Sequence, residues 1–231
     1  MPDNISIPNH LGLILDGNRR WAREHDMTSF QGHKKGYDNL KTIAKYAFDS
    51  GVNYVSAYIF SLENWDRSKR EVTYLMNLAY RMLTKDIDEL NKNKIRIVWL
   101  GSTQKLSKKL LDSIHVAEEK TKNNKKGTLC ICFNYGGYQE IVEAFHKIID
   151  KKIPKEKINS DMIENNLYGT NIPKIDLMVR TSGEQRISNF MLWRISYAEL
   201  LFVEKHWPAF TKDDLNKALE EYSRRERRFG K

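Results

Sequence analysis

Six short apolar runs rich in β-branched residues punctuate the chain, at 11–15, 52–60, 95–100, 128–133, 175–179 and 200–203. Each has the length of a strand, and helical spacing fills much of the chain between them. Leu40, Ile43, Ala44, Ala47 and Phe48 recur at three- and four-residue steps, and Gly51 ends that helix. Val72, Leu75, Met76, Ala79, Met82, Leu83, Ile87 and Leu90 predict one long helix over 71–91. Leu106, Leu110, Leu111, Ile114 and Ala117 mark another. Gly137 precedes a further one carrying Ile141, Val142, Phe145 and Ile148, and a charged helix is predicted over 212–228. Strand alternating with helix means an α/β fold: a mainly parallel central sheet of about six strands flanked by helices. With 231 residues, 40% of them hydrophobic, and no linker of low complexity, the chain reads as a single domain over 1–231.

In such a sheet, functional loops follow the carboxyl ends of strands. The first run ends in Asp16, Gly17, Asn18, Arg19, Arg20, Trp21 and Ala22. Gly17 lets backbone approach a ligand, the start of a helix presents free N–H groups to an anion, and two guanidinium forks suit phosphate oxygens. One acid among these donors would repel phosphate unless a divalent cation lay between, so the simplest chemistry is a Mg²⁺-bridged phosphate or diphosphate. An ordinary strand-turn-helix with solvated arginines has the same local pattern.

Three more clusters fall near strand ends. Ser61, Asn64 and Arg67 combine a hydroxyl, an amide and a guanidinium after the second run; they serve phosphate binding and proton relay, or simply cap a helix. Arg180, Arg186 and Ser188 surround a glycine-containing turn and form a second anion cradle, or an arginine–carboxylate network. Glu199 enters an apolar strand, where a carboxylate needs a metal or an ion-pair partner. Two cradles and two acids suggest an enzyme that handles two phosphorylated substrates.

A formal charge of +9 favours anionic partners, although the lysine runs at 120–126 and 151–157 read as solvated surface. Cys130 and Cys132 lie two apart on a predicted strand, so they face one way as reduced core residues rather than a disulfide. The first residues lack the pattern of a signal peptide and no apolar run spans a membrane, so a cytoplasmic protein is expected. Nucleic acid is not expected, because Trp21, Trp65 and Trp193 fall inside the phosphate-loop motifs rather than along a basic stripe.

Taken together, LDGNRRWA at 15–22, GHKKG at 32–36, FSLENWDR at 60–67, FNYGG at 133–137, RTSGEQRISNFMLW at 180–193, YAEL at 197–200 and RRFG at 227–230 resemble the cis-prenyltransferases, typified by undecaprenyl diphosphate synthase. The motifs run in order along nearly the whole chain. The resemblance implies condensation of isopentenyl diphosphate onto an allylic prenyl diphosphate with formation of a cis double bond, a Mg²⁺ cofactor and a homodimer. It implies a catalytic, metal-binding Asp16; an allylic cradle of Gly17, Asn18, Arg19, Arg20 and His33, with Trp21 and Trp65 nearby; and a second cradle of Arg67, Arg180, Arg186 and Ser188. It further implies proton handling by Asn64 and Ser61, a metal contact from Glu199, and a tail in which Arg228 and Gly230 reach a partner's site. The hydrocarbon product would grow into an apolar tunnel, for which the helices at 71–91 and 138–150 offer apolar faces. Peripheral contact with a membrane surface follows from such a product.

The chain departs from the family pattern at two places. Ser29 stands where an arginine is common, four residues before the histidine of GHKKG, and Tyr138 stands where GGR is common. These bear on the grip on the allylic diphosphate and on how two units are joined, since some relatives couple units other than head to tail. Ile59 is bulkier than the alanine often found there, which narrows the expected tunnel. A non-catalytic partner subunit is disfavoured because Asp16 is present.

Overall fold

The computed structural model describes residues 6–225. Strands β1 (His10–Ile14), β2 (Tyr54–Ser61), β3 (Ile95–Leu100), β4 (Gly127–Tyr135), β5 (Leu177–Arg180) and β6 (Glu199–Phe202) form one sheet in the order β3-β4-β2-β1-β5-β6. Every neighbouring pair is parallel, which bears out the sheet expected from the six apolar runs. Helices α1 (Asn18–Glu24), α2 (Ser29–Asp49), α3 (Lys69–Thr84), α4 (Ile87–Lys92), α5 (Lys108–Thr121), α6 (Gly137–Asp150), α7 (Ser160–Glu164) and α8 (Lys212–Arg224) complete the described residues, with single 3-10 turns at Leu62–Asp66, Lys155–Lys157 and Trp207–Ala209.

Alternation along each strand splits the core between the two sheet faces. Leu11, Leu13, Val55, Ala57, Leu129 and Ile131 pack with α2, α3, α5 and α8. Cys130, Cys132 and Met178 face the other way, against Phe190, Met191 and Ile195. Both cysteines are unpaired and fully buried, and burial pushes the Cys130 thiol up to about 12, so neither is a nucleophile.

Parallel register decides which side chains meet. Ile14 pairs with Tyr58 on one side and Arg180 on the other, so the residues after β1, β2 and β5 share one edge. The GHKKG motif builds the wall beside it. A methyl group at position 32 would lie 2.2 Å from the Asn18 carbonyl oxygen, and one at position 36 would lie 2.0 Å from Asn18 Oδ1. Two glycines one helical turn apart therefore let α1 lie directly on α2.

Two helical expectations are corrected. The stretch over 71–91 is two helices, because the Tyr37 hydroxyl donates to Asp86 and anchors that residue between α3 and α4. The break keeps the apolar side of both pieces inward, so spacing could not reveal it. The apolar residues of α6 divide between two sides: Tyr138, Val142, Phe145 and Ile149 are exposed, while Ala144 and Ile148 are buried together with Glu140. Glu140 can be inside because Arg194 donates to it at 2.8 Å.

Among the described residues, no helix is long and apolar enough to cross a membrane. At the start of β1, His10 is fully buried, with Nδ1 2.8 Å from the Pro173 carbonyl and Nε2 2.8 Å from Ser56 Oγ. Burial pushes its pKa down from 6.5 to about 4. The unfolded chain takes up that proton near 6.5, whereas the folded chain excludes it until near 4. Stability is therefore fully present above the unfolded value and is lost as pH falls through this window, by up to about 3 kcal/mol. Urea unfolding at pH 7.5 and pH 4.5 should show this loss, with a smaller one in His10→Gln. Equal losses in both proteins would contradict it.

Candidate active site

Asp16 stands two residues beyond β1, at the centre of a web of donors. Its Oδ2 accepts from Arg180 Nη2 at 2.9 Å, and its Oδ1 accepts from the Gly17 amide at 2.8 Å and lies 3.2 Å from Arg20 Nη2. Its carbonyl accepts from Thr181 Oγ1 at 2.7 Å and the Trp207 amide at 2.9 Å, which pins the turn. Burial alone would raise the carboxyl pKa, but Arg180 and then Arg20 outweigh it and hold Asp16 below the usual carboxylate range.

Arg180 ends β5 and is only 4% exposed, so its charge must be met locally. Nη1 donates to Ser188 Oγ at 2.7 Å and to the Arg186 carbonyl at 2.6 Å. Its Nε is buried with no partner among the described residues. Ser188 and Asn189 both have positive φ, at 47° and 62°. The Ser188 carbonyl accepts from the Tyr58 hydroxyl at 3.3 Å, and the Asn189 carbonyl accepts from the Gly137 amide at 2.8 Å, so the strained turn is braced from two sides.

Two carboxylates join the two arginine groups. Glu184 accepts from Arg20 Nη1 at 2.7 Å and pairs with Arg186 through its other oxygen. Thus Asp16 and Glu184 each sit beside Arg20 and one arginine of the second cluster. These carboxylates occupy the donors that a diphosphate would use.

Three depressions meet here. One, polar, is lined by Asp16, Asn18, Arg19, Arg20, Arg23 and Arg67. A second is lined by Asp16, Ser61, Asn64, Arg67, Arg180 and Ser188. The third is apolar and lies between α2 and α3, among Tyr37, Leu40, Ile59, Leu75, Leu78 and Met82. Leu15, Asn18 and His33 line all three. The apolar face of α3 thus does line a cavity, as its spacing suggested, whereas α6 contributes nothing to it. Arg23 lies one turn after Arg19 on α1 and adds a fourth guanidinium to the first polar pocket. Because α1 has only seven residues, its dipole is a minor contributor beside these side chains.

His33 is buried, and its Nε2 lies 3.0 Å from Glu71 Oε1, which also accepts from Arg67 Nη1 at 2.9 Å. Burial lowers the His33 pKa despite Glu71, while His33 and Arg67 hold the Glu71 carboxyl low despite its own burial. A neutral His33 with its Nε2 proton directed at Glu71 orients the pair and is not itself a free phosphate donor. Arg67 and Glu71 are four apart on the chain, the one local signal that could have singled out Glu71. Glu184, held low by Arg186 and Arg20, carries no such signal beyond its place in the cradle motif.

Other expected residues are distributed unevenly. Ser61 and Asn64 line the second pocket and also cap the turn after β2, with the Ser61 amide donating to Asn64 Oδ1 at 3.3 Å. Trp21 and Trp65 line none of the three depressions. Trp21 stacks on His25 at 4.2 Å, and Trp65 donates its indole N–H to Asn134 Oδ1 at 2.7 Å. Glu199 is not brought to Asp16. It opens β6 opposite Leu177, three residues back from Arg180 at the other end of the sheet, and pairs with Arg225 at 3.0 Å. Arg228 and Gly230 lie outside the described residues.

No group of three or more histidine, cysteine or acidic side chains that could hold a metal occurs among the described residues. Asp16 alone nevertheless fits Mg²⁺, which commonly takes one or two carboxylates and completes its shell with water and phosphate oxygens.

The family model described as "Putative undecaprenyl diphosphate synthase" matches residues 14–230. An isoprenyl transferase of Rickettsia felis is 44% identical over 222 residues, 96% of this chain and 94% of that protein. An isoprenyl transferase of Thermotoga maritima is 42% identical over 228 residues, covering 98% of each. Lavandulyl diphosphate synthase from Lavandula x intermedia, solved in complex with dimethylallyl diphosphate, superposes with a TM-score of 0.92 at 34% identity, over 97% of this chain and 98% of that one. A probable undecaprenyl diphosphate synthase from Campylobacter jejuni gives a TM-score of 0.82 at 30% identity, over 98% of this chain and all of that one (100%). The chain belongs to the undecaprenyl diphosphate synthase family of prenyltransferases.

Proposed function

We propose that the protein condenses isopentenyl diphosphate with an allylic prenyl diphosphate, releasing diphosphate and extending the chain with a cis double bond. The observation that carries this reading is the carboxylate of Asp16, shared by Arg20 and Arg180 where two polar pockets and one apolar cavity meet. The allylic diphosphate fits the pocket of Arg19, Arg20 and Arg23, with its hydrocarbon in the cavity between α2 and α3, and Arg67 lines both polar pockets. Isopentenyl diphosphate fits Arg180, Arg186 and Ser188.

As the allylic C–O bond breaks, negative charge grows on the departing diphosphate, and the arginines released from Asp16 and Glu184 meet it. A Mg²⁺ ion held by Asp16 would supply the remaining neutralisation of diphosphate charge. The second cradle holds the isopentenyl double bond near the allylic carbon, so that a carbon–carbon bond forms as the first bond breaks. A proton then leaves the adduct for a diphosphate oxygen, with Ser61 and Asn64 placed to relay it.

Purified protein given isopentenyl diphosphate, Mg²⁺ and dimethylallyl, geranyl or farnesyl diphosphate should release diphosphate only when both substrates are present. No release with any of the three would contradict the proposal. A second reading, a short product or a coupling other than head to tail, rests on the departures at Ser29 and Tyr138. Product mass and connectivity separate the two.

Ile59 lines both the second polar pocket and the apolar cavity, and so stands where the product would pass into a tunnel. Ile59→Ala should lengthen the product by at least one five-carbon unit, since each unit gains about 4 kcal/mol on burial at ~0.8 per carbon. Chromatography showing an unchanged product would count against this.

The exposed row Tyr138, Val142, Phe145 and Ile149 recurs at helical spacing along α6 and suits a second copy of the chain. Sedimentation at twice the 27.2 kDa chain mass is expected, and a monomer at micromolar concentration would exclude it.

A further inference from the structure

Beneath the Asp16 turn runs a second chain of hydrogen bonds that the chemistry above does not use. Ser182 Oγ lies 2.6 Å from His206 Nδ1, and His206 Nε2 lies 2.9 Å from Glu24 Oε1. Serine, imidazole and carboxylate stand in the order of a hydrolytic triad, but the setting is wrong for one. Ser182 is only 5% exposed. The amides of Ser182 and Gly183 donate to the carbonyls of Lys205 and Val203, both at 2.9 Å, so neither is available to an oxyanion.

The row supports the turn instead. Gly17 has φ +103°, and a methyl group there would lie 2.7 Å from both His206 Nδ1 and Ser182 Oγ. The Ser182–His206 pair is therefore the floor on which Gly17 rests. The neighbours of the same two residues, Thr181 and Trp207, hold the Asp16 carbonyl from the same side. At its far ring nitrogen, His206 ties down Glu24, the last residue of α1. One imidazole thus touches both ends of the segment that carries Asn18, Arg19, Arg20 and Arg23.

We propose that His206 is a positioning residue that seats the Asp16–Gly17 turn and α1 against the Arg180 loop, and so sets the geometry of the first diphosphate cradle. This rests on the two-cradle reading above. The two contacts are unequal. His206 is 17% exposed and Ser182 is buried, whereas Glu24 is 59% exposed, so the contact to Glu24 contributes little. An asparagine amide at 206 falls where Nδ1 lies, and a glutamine amide falls where Nε2 lies. Asparagine should therefore replace the important half of the contact.

The test pairs steady-state kinetics, with each diphosphate varied in turn, with hydrogen exchange of the amides at 21–24 in the substrate-free full chain. His206→Ala should raise KM for the allylic diphosphate about tenfold, the worth of one hydrogen bond, and leave KM for isopentenyl diphosphate within about twofold. Exchange at 21–24 should quicken by about tenfold. His206→Asn should restore both readouts, and His206→Gln should restore less than Asn. Equal rises in the two KM values, or unchanged exchange in His206→Ala, would overturn the proposal. If the wild-type protein proves inactive, the two-cradle reading fails, and exchange alone then decides the role of His206.

Discussion

Asp16→Asn should lower turnover by about three orders of magnitude while tightening the binding of inorganic diphosphate measured without Mg²⁺. The opposite signs follow from the geometry. Asp16 is the carboxylate held by both Arg20 and Arg180, and its low pKa keeps it charged. Without metal, that charge repels a diphosphate and occupies two of the guanidinium groups the diphosphate needs. An amide removes the repulsion and releases both arginines, which should improve diphosphate affinity about tenfold. It also removes the carboxylate that holds a divalent cation, so the chemical step is lost. The substrate-free variant should melt lower, because buried Arg180 loses its charged partner, and diphosphate should restore the loss. Retained turnover, or weaker diphosphate binding without metal, would contradict this account.

Arg180→Lys should raise KM for isopentenyl diphosphate at least about a hundredfold and change KM for the allylic diphosphate far less. Arg180 already uses its fork for Asp16 on one side and for Ser188 Oγ and the Arg186 carbonyl on the other. Lysine has one nitrogen and cannot serve both directions. Two charged hydrogen bonds at about 1.5 kcal/mol each account for the expected factor. Separate substrate titrations measure it, and a larger effect on the allylic KM would mean that the two pockets are assigned the wrong way round.

Much of this arrangement is legible in the sequence. Each strand is a short apolar run, and parallel pairing gives all six the same polarity, so Asp16, Ser61 and Arg180 fall on one edge without any knowledge of loops. The clusters at Asp16–Arg20 and Arg180–Ser188 were expected as separate cradles, and the structure joins them through Asp16 and Glu184. What stayed hidden depends on partners distant in sequence. Glu199 in an apolar strand allows a metal or an ion-pair partner, and only the family resemblance adds the metal; it enters at the amino end, ten or so ångströms of strand away from the Arg180 edge, and its ion-pair partner Arg225 lies 26 residues further on. The break at Asp86 answers to Tyr37, which lies 49 residues away. His206 matches no motif, and its role emerges only where Ser182, Gly17 and Glu24 converge. The outward face of α6 has helical spacing like any core helix, because spacing identifies a face but not what covers it.

A crystal structure with isopentenyl diphosphate, a non-ionising allylic thiodiphosphate and Mg²⁺ tests the central claim most directly. The account predicts two diphosphates on opposite sides of Asp16, one against Arg19, Arg20 and Arg23 with its chain between α2 and α3, the other against Arg180, Arg186 and Ser188. It also predicts that Arg20 and Arg180 will have left Asp16 for phosphate oxygens. A single diphosphate spanning both arginine groups, or either diphosphate bound away from Asp16, would contradict it.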